Sequence, residues 1–245
     1  MRRIMRTPLL PATAKALAKR QADADAKRVA GNLDVPREWG AARKTRPLKT
    51  VHAALTTMAG HGARCMYCCD SHGTDIEHFW PKTPYPDRMF QWPNLLLCCA
   101  ECGRFKGDRF PLRNGTPDLV DPTADNPWQF LDFDPATGVV VARYDLATGA
   151  ESTKGAETVK LLQLDRREAM NDYYLKTWRR LVAAVTAALK QGAPDAHALS
   201  ASLAEADDHG LLGWCFSGTG QKVAPFSALR ASYPDVWEAC AQAFA

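Results

Sequence analysis

Apolar residues recur at helical spacing through both ends of this chain, and the middle holds shorter apolar stretches separated by turn residues. Residues 10–30 are rich in Ala and Lys and predict a helix, with a break at Gly31-Asn32 and Pro36. Residues 47–60 predict a second helix. Its apolar positions lie three and four residues apart, at Leu48, Val51, Leu55 and Met58.

The middle of the chain predicts strands. Residues 63–111 read as short strands, loops and one short helix. Residues 130–133 and 139–143 are apolar and flank Asp-Pro-Ala-Thr-Gly, which predicts a β-hairpin. Together with the helices, these stretches indicate an α+β protein with a helical C-terminal region.

The C-terminal part predicts four helices: residues 157–164, a long helix from an Asp165 cap to about Gln191, residues 196–206 and residues 236–244. Residues 224–229, with Tyr233 and Pro234, predict a packed loop. We assign Trp178, Trp214 and Trp237 to the core, because buried Trp is more common than a base-stacking platform.

Composition is that of an ordinary soluble globular protein of one or two domains, with 245 residues, 46% hydrophobic and 24% charged. No apolar run approaches the ~18 residues of a membrane span. The basic start, Met-Arg-Arg-Ile-Met-Arg, is followed by prolines and no apolar segment, so we expect a cytoplasmic protein.

Charge is unevenly spread. Residues 1–64 contain 14 Lys and Arg against 4 Asp and Glu, whereas the other 181 residues contain 17 against 23. Such a basic N-terminal third can bind a phosphate backbone. A solvated helix face explains the 15–28 stretch nearly as well.

Two C-x-x-C pairs indicate a metal. Cys65, Cys68, Cys99 and Cys102 offer four thiolates, the ligand set of tetrahedral structural Zn²⁺. The gap of residues 69–98 exceeds the roughly 15–20 residues usual in zinc ribbons, so the loop can hold a site. Disulfides or unrelated thiols are the alternative, and disulfides are rare in the cytosol. Cys69 and Cys98 adjoin the pairs and can exchange as ligands, although their neighbours fit the spacing better.

A Glu-His dipeptide lies inside this loop. His78 can take a proton from water near neutral pH, and Glu77 can hold Mg²⁺ or Mn²⁺, which would stabilise charge on a scissile phosphate. Successive strand residues face opposite sides, so the pair can share one site only where the strand ends or twists. The Asn94 amide can pin the loop that carries His78. The alternative is a structural His and a surface Glu.

Three motifs carry a resemblance: Ile76-Glu-His-Phe-Trp-Pro-Lys82, Trp92-x-Asn-Leu-Leu-Leu-x-Cys, and the second C-x-x-C with Lys106-Gly-Asp-Arg-Phe-Pro. They resemble the HNH endonucleases of bacterial anti-phage defence systems, of the Septu nuclease-subunit and retron-linked types, over about residues 60–145.

The resemblance implies a zinc-stapled ββα-metal (HNH, His-Me finger) core over residues 61–125. This core would lie between a basic helical region, 1–60, and a hairpin and helical region, 126–245. It also implies that His78 is the general base, Glu77 the metal-side carboxylate and Asn94 the central Asn. Four cations within or after the motif would contact nucleic acid, DNA above all: Lys82, Arg104, Lys106 and Arg109.

One position departs from this pattern. Gly103 stands where the family usually has Asn or His, so one metal ligand is missing. The metal would then be bound more weakly, take water or a backbone group in that place, or use a nearby side chain such as Asp108. A non-catalytic zinc-ribbon nucleic-acid binder and a purely structural subunit therefore stay as alternatives. The resemblance also implies an ATPase partner of the ABC or SMC type, or a retron reverse transcriptase with its RNA. The chain itself has no G-x-x-x-x-G-K-[ST] motif.

Overall fold

The chain folds into two units, and the computed structural model describes residues 1–60 and 62–244. One unit spans Ile4–Pro117. The other runs from Asp118 onward and includes Met1–Arg3. The domain boundaries expected at residues 61 and 126 stay a prediction.

Three helices begin the first unit: α1 (Pro11–Val29), α2 (Val35–Ala42) and α3 (Arg46–Ala59). The first and third confirm the predicted helices. The second departs from the prediction, because Pro36 lies in its first turn and does not mark a break. Proline is tolerated in the first turn of a helix, where its missing N–H leaves no bond unmade, and Asp34 caps this turn by accepting from the Arg37 N–H at 3.0 Å.

A two-stranded antiparallel hairpin follows the helices. Strand β1 (Asp75–His78) pairs with β2 (Leu95–Cys98), with Asp75 opposite Cys98 and His78 opposite Leu95. All four residues of β2 are buried, and the strand lies next to α3. Helix α4 (Ala100–Lys106) follows β2 directly, and a small ladder of β3 (Leu112–Arg113) and β4 (Thr116–Pro117) ends the unit.

The second unit begins with two small ladders. Strand β5 (Leu131–Phe133) pairs with β6 (Val140–Ala142), which confirms the predicted hairpin. Strand β7 (Tyr144–Asp145) pairs with β8 (Ala150–Glu151). The structure therefore confirms a mixed helix and strand protein with small antiparallel sheets.

Six helices complete this unit: α5 (Thr153–Leu162), α6 (Glu168–Lys190), α7 (Ala196–Ala206), α8 (Leu211–Ser217), α9 (Phe226–Ser232) and α10 (Pro234–Ala243). The predicted Asp165 cap is wrong, because α6 begins after Arg167 and has no side-chain cap. The loop predicted at residues 224–229 is also wrong, because α9 begins at Phe226. Helix α8 was missed because it is apolar on nearly every side and so shows no amphipathic stripe.

Aromatic side chains fill the core of the second unit. Trp178, Trp214 and Trp237 are each less than a tenth exposed, as predicted. The Trp178 and Trp214 rings meet edge to face at 5.4 Å, and the Trp214 Nε1–H donates to Asp132 at 2.6 Å. In the described part of the chain, no helix combines the length and apolar character needed to cross a bilayer.

Candidate functional site

The two C-x-x-C pairs converge on one point. The Sγ atoms of Cys65, Cys68, Cys99 and Cys102 all lie within 4.8 Å of one another, and all four side chains are buried. The distance from the Cys68 to the Cys99 sulfur is 3.9 Å. Four sulfurs around Zn²⁺ at ~2.3 Å would lie about 3.8 Å apart, so this donor set fits a structural zinc ion.

Local hydrogen bonds shape the turn within each C-x-x-C pair, which we call a knuckle. The Cys69 N–H donates to the Cys65 carbonyl at 2.9 Å, and Cys69 turns the chain with a φ of 53°. In the second knuckle, Cys99 caps α4 by accepting at its sulfur from the Cys102 N–H at 3.4 Å. Cys98 directs its thiol to the Cys99 carbonyl at 3.3 Å, and its sulfur lies 4.0 Å from that of Cys65. The sulfurs that all lie within 4.8 Å of one another are those of the two C-x-x-C pairs, which favours these four as the ligand set.

His78 occupies the last position of β1 and is 2% exposed. Its Nε2 lies 3.0 Å from the Met89 carbonyl, and the edge of Trp39 packs against its ring at 4.3 Å. Burial, assisted by the charges of Lys82 and Lys106, lowers the pKa of His78 to about 3 against the opposing effect of the Met89 bond. The ring is therefore neutral near pH 7. A carbonyl only accepts, so Nε2 carries the hydrogen and Nδ1 keeps the lone pair.

Glu77 precedes His78 and faces α4. Its Oε1 lies 3.1 Å from the Lys106 ammonium. Its Oε2 points toward Gly103, where a Cβ atom would lie 3.5 Å away. The strand that carries the pair ends at His78, which is the condition that lets neighbouring residues serve one site.

Lys106 does not fit its predicted role. The side chain is fully buried, and its ammonium also donates to the His78 carbonyl at 2.7 Å. Burial lowers the pKa of Lys106, partly offset by the charge of Glu77. The structure therefore does not support a contact of Lys106 with phosphate. A sequence signal existed: Lys106 follows the buried Cys102 by four residues and so shares its helix face.

Asn94 joins two segments of the loop around His78. Its Oδ1 accepts from the Trp80 N–H at 2.7 Å. Its Nδ2 donates to the carbonyls of Trp80, at 3.0 Å, and Arg88, at 2.9 Å. The side chain is 4% exposed. This bonding is the one predicted for Asn94, and its catalytic role stays a prediction.

The remaining predicted residues lie nearer the surface. Arg104 and Arg109 are exposed and Lys82 is half-buried. Within residues 1–60 and 62–244, the four cysteines form the one group of three or more His, Cys, Asp or Glu side chains close enough to share an ion. Glu77 belongs to no such group among the described residues, and its role as a ligand of a second metal stays a prediction.

No family model matches the chain. It is similar to the Septu protein PtuB of Bacillus thuringiensis, with 26% identity over 125 residues. The similarity covers 49% of this chain and 43% of that protein. The chain thus spans less than half the length of the relative it matches.

Proposed function

We propose that this chain is a metal-dependent HNH-type endonuclease that hydrolyses phosphodiester bonds in nucleic acid, DNA above all, as part of an anti-phage defence system. The observation that carries the proposal is His78. Its neutral ring is fixed at the end of a strand by Met89 and Trp39, and Glu77 precedes it in the same strand with its carboxylate toward α4. The similarity to a Septu protein supports the role in defence.

In this proposal His78 is the general base. Its Nδ1 takes a proton from a water molecule whose oxygen attacks the phosphorus, while the bond from phosphorus to the 3′ oxygen breaks. The bond from Nε2–H to the Met89 carbonyl keeps Nδ1 in the unprotonated tautomer. Asn94 helps to hold this partner in place, because it bonds the carbonyl of Arg88, the neighbour of Met89.

Glu77 is the residue that would hold Mg²⁺ or Mn²⁺, through Oε2. When bound, such a cation supplies electrostatic stabilisation of the phosphate and of the leaving oxygen. Lys106 fixes the other carboxylate oxygen and therefore the direction in which Oε2 points. Lys106 is a positioning residue in this scheme.

The four cysteines have a structural role in the proposal. Zinc at this cluster would tie the turn at Cys65–Cys68 to the start of α4 and so hold the hairpin against the helix. The loop between the pairs contains Glu77, His78 and Asn94. A zinc staple would therefore fix all three.

The similarity to a Septu protein supports a partner within a defence complex. As its finer form, we propose that an ATPase of the ABC or SMC type controls this chain, or that a retron reverse transcriptase and its RNA do so. A nucleotide-hydrolysing partner is needed for energy-driven control because the sequence has no P-loop motif.

A second candidate is a non-catalytic, zinc-stapled subunit for nucleic-acid binding or complex assembly. Two observations favour it. Lys106 already neutralises Glu77, and Gly103 has no side chain to offer a metal. In this case nucleic-acid binding would need no Mg²⁺ and would survive the loss of the His78 base.

Cleavage of supercoiled plasmid with Mg²⁺ and with Mn²⁺ tests the proposal. The His78→Gln variant removes Nδ1 but keeps an amide N–H able to donate to Met89. The matched control is His197→Gln, an exposed position on α7. We expect the parent and the control to nick the plasmid and His78→Gln to bind it without nicking. Equal cleavage by all three proteins would refute the role of His78. DNA binding without cleavage by the parent, alone and with the ATPase partner, would favour the second candidate.

A further inference from the structure

We infer that the junction of α2 and α3 is a docking surface for the phosphate backbone of the nucleic acid that reaches His78. This inference rests on the proposed function and adds a binding site to it. We call the surface the basic corner, and define it by Arg43, Lys44, Arg46 and Lys49.

Three of the four cations of the basic corner have no acidic partner among the described residues. All four side chains are exposed. Arg43 pairs with Asp75 at 3.0 Å, but in the described part of the chain the other three form no ion pair. No Asp or Glu occurs in the sequence between Glu38 and Asp70.

Helix α1 is basic in sequence but differs in this respect. Lys19 pairs with Asp23, Lys27 with Glu38, and Arg28 with Asp25. Much of the positive charge on α1 is thus paired with acidic side chains, whereas most of the positive charge on the basic corner is unpaired. Free cations attract a polyanion more strongly than paired ones.

A cavity of about 180 Å³ adjoins this surface. Arg43, Lys49 and His52 line it together with the apolar side chains of Trp39 and Ile76. Asp75 is the acidic residue among those that line it and is the partner of Arg43. The His52 Nε2 lies 3.2 Å from the Thr74 carbonyl, so its hydrogen is already used in that bond. The cations of Arg43 and Lys49 beside a small cavity suit a tetrahedral anion such as a backbone phosphate.

The cavity lies next to the proposed site. Trp39 lines the cavity and also packs against His78. Asp75 lies in the same strand as His78, three residues earlier, which corresponds to about 10 Å at 3.3 Å per residue. A nucleic-acid strand covers that distance in about three nucleotides, since each nucleotide advances it by about 3.4 Å. A strand with its scissile phosphate at His78 would therefore pass the basic corner.

The test uses a triple variant, Lys44→Ala with Arg46→Ala and Lys49→Ala, in the full chain. A matched triple, Lys160→Ala with Lys190→Ala and Lys222→Ala, removes the same charge from exposed positions of the second unit. Both are made with His78→Gln, and binding to a short DNA duplex and a short RNA duplex is measured by fluorescence anisotropy without added divalent metal. The dependence of log K on log salt is recorded between about 50 and 200 mM.

We expect the corner triple to bind at least tenfold more weakly than its parent, and its salt slope to fall by about 2–3, since each phosphate contact contributes ~0.9. The control triple should match the parent in the salt slope and stay within threefold in affinity. A second variant, with Lys44→Arg and Lys49→Arg, also carries His78→Gln and keeps the positive charge. It should bind like the His78→Gln protein, so that weak binding by the corner triple is attributed to its lost charge and not to any change at these positions. Whichever duplex loses more affinity identifies the backbone that the corner holds.

Unchanged binding by the corner triple would overturn the inference, as would equal loss in both triples. Retained nucleic-acid binding with lost association to the ATPase partner would assign the basic corner to a protein instead, and would also overturn it. The plasmid assay separates this inference from the proposed function. Weak binding by the corner triple, together with no plasmid cleavage by the unmodified chain alone or with the ATPase partner, would support the docking surface and refute the nuclease.

Discussion

Replacing Lys106 by Met is expected to destabilise the first unit by about 3 kcal/mol. This is a large effect for a lysine, because lysines are usually exposed and their substitution then changes stability little. The side chain is fully buried, and its ammonium is shared between the Glu77 carboxylate at 3.1 Å and the His78 carbonyl at 2.7 Å. Met fills most of the same volume. It leaves the carbonyl without its donor and the carboxylate without its counter-charge.

The magnitude combines opposing contributions. Removing one partner of a buried ion pair costs about 3–5 kcal/mol. Glu77 retains 20% side-chain exposure, so water replaces part of the lost attraction and lowers that figure. The lost hydrogen bond from a charged donor to the His78 carbonyl and the recovered desolvation cost of the ammonium oppose each other, and both are already contained in that measured figure. A net loss of about 2–4 kcal/mol remains.

A double-mutant cycle with Glu77→Gln tests this reasoning. The free energy of opening is measured by hydrogen exchange of the amides of β1 and β2, in zinc-loaded protein. We expect Lys106→Met to cost ~1–2 kcal/mol less when Glu77→Gln is already present, because the neutral amide no longer needs a counter-charge. Additivity within ~0.5 kcal/mol would refute the coupling. Lys44→Met, at an exposed position, is the control and should change stability by less than ~0.5 kcal/mol.

Three further predictions concern the same unit. Chelating zinc should abolish hydrogen-exchange protection in the first unit and leave that of the second unchanged, because structural zinc contributes about 10–16 kcal/mol, more than most domains have in reserve; retained protection would contradict the staple. Gly103→His should raise Mn²⁺ affinity at least tenfold in calorimetry on zinc-loaded protein, since the new Cβ fits 3.5 Å from Glu77 Oε2, whereas Gly103→Ala should leave that affinity unchanged. Asn94→Ala should destabilise the unit by about 2–4 kcal/mol and speed exchange of the Trp80 amide, because the three bonds of its side chain are lost; an unchanged Trp80 rate would contradict the role of Asn94 as a clamp.

The cysteine cluster and the long helices could be predicted from the sequence because their determinants are local. Two residues between thiols set the turn of each knuckle, and the four sulfurs then converge within 4.8 Å. Helix α3 shows its buried stripe directly, with Leu48, Val51 and Leu55 inside. The spacing of apolar residues did not reveal a helix that is buried on all sides. Helix α8 buries Leu211, Trp214 and several neighbours around its whole circumference.

The direction of a charged side chain could not be predicted. Lys82, Arg104 and Lys106 look alike beside the motif in the sequence, and all three were expected to contact phosphate. The structure leaves Arg104 exposed and buries Lys106 completely. Whether Lys106 turns inward depends on a carboxylate 29 residues away and a carbonyl 28 residues away in the chain. It is therefore decided by the packing of β1 against α4.

Helix α4 thus determines how much charge Glu77 can offer to a metal. One helix contributes both the glycine that removes a ligand and the lysine that neutralises the carboxylate. Under the proposed function, a divalent cation at Oε2 of Glu77 would be attracted by one carboxylate and repelled by the Lys106 ammonium that pairs with it. The protein without nucleic acid should therefore bind the cation weakly. A substrate phosphate supplies the negative charge and the oxygen ligands that this arrangement lacks. Metal and nucleic acid would then bind with positive coupling, each raising the affinity of the other by the same factor. If the chain is the proposed nuclease, it would stay nearly metal-free until nucleic acid occupies the site, and this would suit a defence role that requires it to be inactive in an uninfected cell.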